Sequence, residues 1–98
     1  MKPLPNVSGA PVRAWRIRYN EMTASRDLNQ LVAAGGALMC PAVLGVVTPA
    51  LRTGRKGEFW FGAEERCGYR ATIEEAKAEV ERLTDETFKS FALKTAGT

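Results

Sequence analysis

Two groups of charged side chains carry most of the chemistry open to this 98-residue chain, and they lie in different halves of it. The first is basic. Arg52, Arg55 and Lys56 fall in residues 51–57, where Gly54 and Gly57 bracket the Arg55-Lys56 pair, and Arg13, Arg16 and Arg18 lie upstream in an alternating run. Cationic groups sharing a surface neutralise phosphates, and Trp15, Tyr19 or Trp60 beside them would supply rings on which bases stack. Such cations serve equally as plain solvated groups on a loop tip or an outward strand face. The glycines do not make a phosphate loop, which needs Gly-x-x-x-x-Gly-Lys-Ser/Thr.

The second group is acidic. Glu64 and Glu65 precede a run holding Glu74, Glu75, Glu79, Glu81, Asp85 and Glu86. On a helix these carboxylates form a negative surface able to dock a cationic groove, including one that ordinarily holds nucleic acid. Their everyday role is to keep the outer side of a helix in water. Glu75 and Glu79, four residues apart, repel by roughly a few tenths of a kcal/mol, partly offset by Glu74 with Lys77, Lys77 with Glu81 and Glu79 with Arg82.

Neither group is set out for catalysis. A general acid and base need carboxylates that converge in a cleft, which a solvent-facing helix side rarely provides. The chain has no histidine, so no Ser-His or Cys-His pair exists, and Cys40 and Cys67 are too few for a four-cysteine zinc site. Cys67 lies beside Arg66 but lacks a base to make it a nucleophile. Both cysteines read as buried thiols in a reducing compartment. A protein that is not an enzyme, with no metal and no cofactor, is expected.

These groups need elements to hold them. Residues 1–11 contain three prolines with no apolar period and read as a flexible arm, leaving 12–98 as one domain. In residues 12–19, Trp15, Ile17 and Tyr19 alternate with Arg16 and Arg18, a half-buried strand with the aromatics inward and the arginines outward. Ser25 can cap a short helix near 26–34 whose Leu28, Leu31 and Val32 recur at helical spacing, with Gly35-Gly36 as its stop. Residues 37–51 are almost wholly apolar but broken by Pro41, Gly45 and Pro49, so buried extended segments at 37–40 and 43–48 are expected, not a membrane helix.

Residues 58–63 alternate again, with Phe59, Phe61 and Ala63 on one side and Trp60 opposite, where it would be an interface anchor if exposed. Residues 69–71 read as a short strand. Thr72-Ile73-Glu74-Glu75 is a capping box, which starts a helix at about Ile73 with a stripe of Ile73, Ala76, Val80 and Leu83. That helix runs on to about residue 93 or breaks near Thr84-Asp85, and Lys89, Lys94 and Gly97 suit its end.

Net charge is +3, divided unevenly: residues 1–57 hold eight cations against Glu21 and Asp27, whereas residues 58–98 hold six against nine acids. Such polarity can serve two partners or draw the halves together. No apolar run is long enough to span a bilayer and no leader pattern opens the sequence, which places the chain in the cytoplasm.

In Glu58-Phe59-Trp60-Phe61-Gly62 and Gly68-Tyr69-Arg70-Ala71-Thr72-Ile73-Glu74-Glu75-Ala76-Lys77 the chain resembles the strand-turn-helix ending of small phage and mobile-element proteins, some of them anti-CRISPR proteins. The resemblance covers residues 58–77 and carries over no functional residue. It implies a compact non-enzymatic protein that occupies a surface of a larger nucleoprotein machine.

The expected fold is α+β, a three- to four-stranded, mainly antiparallel sheet packed against a C-terminal amphipathic helix. The leading expectation for function is a phage-derived inhibitor that binds a protein partner, such as a nucleoprotein complex, through Glu64, Glu65, Glu74, Glu75, Glu81, Asp85 and Trp60. The alternative is a nucleic-acid-binding module using Arg16, Arg18, Arg52, Arg55 and Lys56.

Overall fold

The computed structural model describes residues 11–36 and 38–96. Among them the chain forms β1 (Val12–Asn20), β2 (Ser25–Ala34), β3 (Ala42–Pro49), β4 (Phe59–Ala63), β5 (Arg66–Arg70) and α1 (Ile73–Ala96). Each strand pairs antiparallel with its neighbour in sequence, so the sheet order is β1-β2-β3-β4-β5. The helix packs chiefly over β3 and β4. The fold is α+β as expected, with five strands in place of three or four.

The additional strand is β2, which replaces the short helix expected near 26–34. The turn before it decides the matter. Asn20 Oδ1 accepts a hydrogen bond from the Met22 N–H at 3.0 Å, its carbonyl accepts one from Thr23, and Ala24 adopts φ +55°. An Asn side chain that bonds its own backbone two residues on favours a turn. The chain reverses into Ser25, which therefore pairs with Asn20 and caps nothing. Cross-strand packing on both sides then outweighs a short and ambiguous helical spacing.

The helix begins where its capping box placed it. The Glu75 N–H donates to Thr72 Oγ1 at 3.1 Å and the Thr72 N–H to Glu75 Oε1 at 3.2 Å. It continues unbroken through Thr84, whose buried hydroxyl donates back to the Val80 carbonyl at 2.8 Å and so costs the core no unpaired polar group. Ala76 and Val80 are fully buried against Leu31, Val47, Phe61 and Ala63, with Ile73 and Leu83 packed at the margin. A bulge in β3, between the pairs Leu31 with Gly45 and Val32 with Val43, turns Leu44 and Gly45 both toward the helix. At Gly45 a Cβ would lie 2.5 Å from Val80 Cγ1, so the absence of a side chain lets the helix settle onto the strand.

Two expectations are corrected. Of the β1 residues expected inward, Trp15 packs on the core but Ile17 and Tyr19 are 48% and 59% exposed. Among the described residues the helix meets β1 around Arg13 and Trp15, and none of them covers Ile17 and Tyr19 further along the strand. Cys40 and Cys67 are both exposed, the first in the β2–β3 connection and the second on the edge strand β5.

The arm expected over residues 1–11 lies outside the described residues except for the buried Pro11, and so do Ala37 and the expected stop at Gly97. The rest of the 37–40 segment is bend and coil, without strand pairing. Among the described residues no helix is long and apolar enough to cross a membrane.

Candidate nucleic-acid interface

The helix covers one face of the sheet. On the other, the register brings Arg16 opposite Gln30, Gln30 opposite Val46, Val46 opposite Gly62 and Gly62 opposite Cys67 in one row across all five strands. In the next row Arg18 pairs with Leu28, and Thr48, Trp60 and Tyr69 follow on β3, β4 and β5. Arg16 and Arg18 are both exposed, and the Arg16 side chain is steadied by Nε donating to Gln30 Oε1 at 3.3 Å. Among the described residues, no strand position on this face carries a carboxylate.

Trp60 has an unusual seat. A Cβ at position 62 would lie 2.5 Å from its Cη2 and 3.1 and 3.2 Å from Cζ3 and Cζ2, so the far edge of the six-membered ring overlies the bare backbone of Gly62. The indole projects to the side of the strand opposite Phe61 and is half-buried there. Its cross-strand partner Tyr69 has its ring covered by the Arg55 guanidinium, 4.7 Å from the centroid. Arg55 is held there by Glu58 at 3.2 Å, so the cation bridges an aromatic ring and a carboxylate at the sheet's margin.

The basic loop is built to deliver that cation. Its Arg55 N–H bonds the Arg52 carbonyl and its Glu58 N–H bonds the Arg55 carbonyl, each at 3.0 Å, making two consecutive turns that share Arg55. Gly54 and Gly57 take the third position of each, with φ +90° and +92°. That is the position at which a turn of this kind needs a residue without a Cβ. A bond from the Ala50 N–H to the Glu58 carbonyl, 3.0 Å, closes the base. Arg52 and Lys56 remain exposed on the outside of the loop.

The first-strand arginines do not act together. Arg13 points to the helix side, where it donates to the Glu81 carbonyl at 3.3 Å, pairs with Asp85 at 3.4 Å and lies over the Phe88 ring. Trp15 also turns inward, and Tyr19 stands at the exposed far end of the strand. There it lines a cleft of about 330 Å³ with Ile17, Arg18 and Arg26. Arg26 was not singled out from the sequence. It lies on β2 where the β1–β2 register shifts, and its Nη2 donates to the Ile17 carbonyl at 3.1 Å.

The carboxylates expected to form one docking patch are divided. Glu81 accepts the Trp15 indole N–H at 2.7 Å, and Asp85 is shared by Arg13 and Lys89, the latter at 3.0 Å. Glu75 is committed to the helix cap. Glu79 is held by Arg82, and by Arg70 at 3.6 Å; the Arg82 hydrogen bond, reinforced by the nearby guanidinium charges, keeps its carboxyl below the ordinary value near 4.5 despite partial desolvation.

Glu64 accepts a bond from the Thr87 hydroxyl at 2.7 Å. Among the described residues Glu65 and Glu74 form no ion pair, but they stand at opposite ends: Glu74 in the first turn, Glu65 in the β4–β5 turn beside Arg82 and Glu86. The twelve steps from Glu74 to Glu86 span about 18 Å of helix. Among the described residues no group of three or more Cys, Asp or Glu is arranged to hold a metal ion.

No protein-family model, no curated protein and no solved structure matches this chain.

Proposed function

We propose that this is a small non-enzymatic binding module whose working surface is the open face of its sheet, and that its ligand is nucleic acid. One observation carries the reading. The face left bare by the helix combines Arg16 and Arg18, the half-buried Trp60 indole and the Arg55-Tyr69 stack, with no strand carboxylate among the described residues to repel a polyanion.

The competing reading, an inhibitor docking a basic groove through its acidic helix, draws less support. Glu81 and Asp85 spend their charge on Trp15, Arg13 and Lys89, and the projecting Glu65 and Glu74 are too far apart to act as one patch.

Fluorescence anisotropy with labelled DNA and RNA at low salt tests the proposal. Binding should weaken linearly in log-log form with salt, and reversing Arg16 and Arg18 to Glu should reduce that slope by about two. Failure to bind either polymer at low salt rejects it. Binding to a protein's cationic surface, lost on reversing Glu65 and Glu74, would favour the competing reading.

A further inference from the structure

We infer that the strand-like ligand of the open face is single-stranded, with one base stacked on the outward side of Trp60 and the sugar-phosphate backbone running between Arg18 and Arg55. The inference rests on the nucleic-acid reading above and narrows it by rejecting the duplex.

Shape disfavours an undeformed duplex first. Five strands at a spacing of about 4.8 Å make a face about 19 Å across. The major groove of DNA is about 12 Å wide and the minor groove about 6 Å, so a face this broad enters neither without deforming the duplex. A duplex laid on it would offer phosphates alone and leave the indole without a partner, because paired bases already stack on one another. An unpaired base has a free face.

The site is prepared for such a base. The absence of a side chain at Gly62 lets the indole edge settle over the strand. Tyr69 beside it has its ring capped by Arg55, which leaves the half-buried Trp60 as the ring of that pair with no cation over it among the described residues and places a guanidinium plane next to it. Bases stack on indoles with little regard to sequence, and a guanidinium plane accepts either a base or a phosphate.

Arg18 stands three strands away on β1, about 14 Å at the usual strand spacing. That span is about four nucleotides at the stacked rise of roughly 3.4 Å, and fewer as the strand extends. Arg26, on β2 in the same cleft as Arg18, adds a second cation at that end of the track.

The test compares a labelled oligothymidylate of about twelve nucleotides with a duplex of the same length, read by anisotropy on the whole chain and on Trp60→Ala. Indole quenching, read on Trp15→Phe so that Trp60 is the one remaining tryptophan, gives a second readout with the stacking residue intact. The inference expects tighter binding of the single strand, quenching on addition, and about a five- to hundredfold loss in Trp60→Ala for the single strand only.

Equal affinity for both forms, untouched by Trp60→Ala and without quenching, overturns the single-strand inference while leaving the nucleic-acid reading standing. No binding to either form overturns both. A concentration-dependent dimer that excludes the oligonucleotide also overturns it, a second copy then being the occupant.

Discussion

The indole N–H of Trp15 donates to the Glu81 carboxylate at 2.7 Å, joining an edge strand to a helix 66 residues later in the chain. With Arg13 on the Glu81 carbonyl and Asp85, this is what fastens β1 to the rest of the molecule on the helix side. Trp15→Phe keeps the ring but leaves a half-buried carboxylate without its donor, a loss of about 1–2 kcal/mol. Denaturant unfolding should show that loss, and hydrogen exchange should show it concentrated in β1. Unchanged β1 protection would mean that the strand is held by β2 alone.

Gly45 is the contact point of sheet and helix. In Gly45→Ala the new methyl would meet Val80 Cγ1 at 2.5 Å, the Gly62 carbonyl at 3.0 Å and Ala63 Cβ at 3.1 Å, and two of these cannot swing away. A cost of about 1–3 kcal/mol is expected. Adding Val80→Ala should recover part of it, so the double variant will be less destabilised than the sum of the two singles. Strict additivity in urea titrations would show that the clash is not between these two residues.

At Gly62 the same change acts on the binding surface. Gly62→Ala forces the indole of Trp60 off the strand, so affinity for single-stranded nucleic acid should fall while the helix-side core, which Gly62 does not face, keeps most of its stability. Retained affinity together with an altered Trp60 fluorescence spectrum would separate binding from the seat of the indole on Gly62.

Glu79 sets part of the acid limb of stability. The Arg82 hydrogen bond, with the charges of Arg82, Arg70 and Arg66, lowers its carboxyl pKa in the folded chain. A lowered pKa stabilises the fold above the unfolded value near 4.5, and that stabilisation is lost as pH falls through the folded value. The stability difference between the native chain and Glu79→Gln should therefore be largest at neutral pH and shrink on acidification. A difference constant from pH about 7 down to about 3 would contradict the pairing.

Glu64 and Glu65 form the two-residue β4–β5 turn at φ +50° and +67°. Residues with a Cβ pay about 1 kcal/mol or more there, and Gly does not. Glu65→Gly should raise the melting temperature by a few degrees, of the order expected for about 1 kcal/mol in a chain this size. A lower melting temperature would show that Glu65 makes a contribution outweighing its backbone strain.

How far the sequence disclosed all this depends on how local each determinant is. The helix start at Ile73 was legible because Thr72 and Glu75 satisfy each other within four residues, and β1 was legible because Arg16 and Arg18 alternate with apolar neighbours. β2 was not, since Leu28, Leu31 and Val32 suit either period and the deciding Asn20 turn lies before them. In the same way, alternation placed Trp60 opposite Phe59 and Phe61, but not on Gly62 or beside Tyr69. That needed the register and the loop that carries Arg55 inward. The divided acidic patch was hidden for a third reason: the partners of Glu81 and Asp85 lie 66 and 72 residues away.

The succession of neighbouring strands followed by α1 also bears on synthesis. Each hairpin can close as it leaves the ribosome, but Leu31, Val47 and Phe61 stay bare until the last element emerges. A nascent chain stalled before Ile73 would be an adhesive two-sided ribbon, dependent on chaperones until its lid arrives.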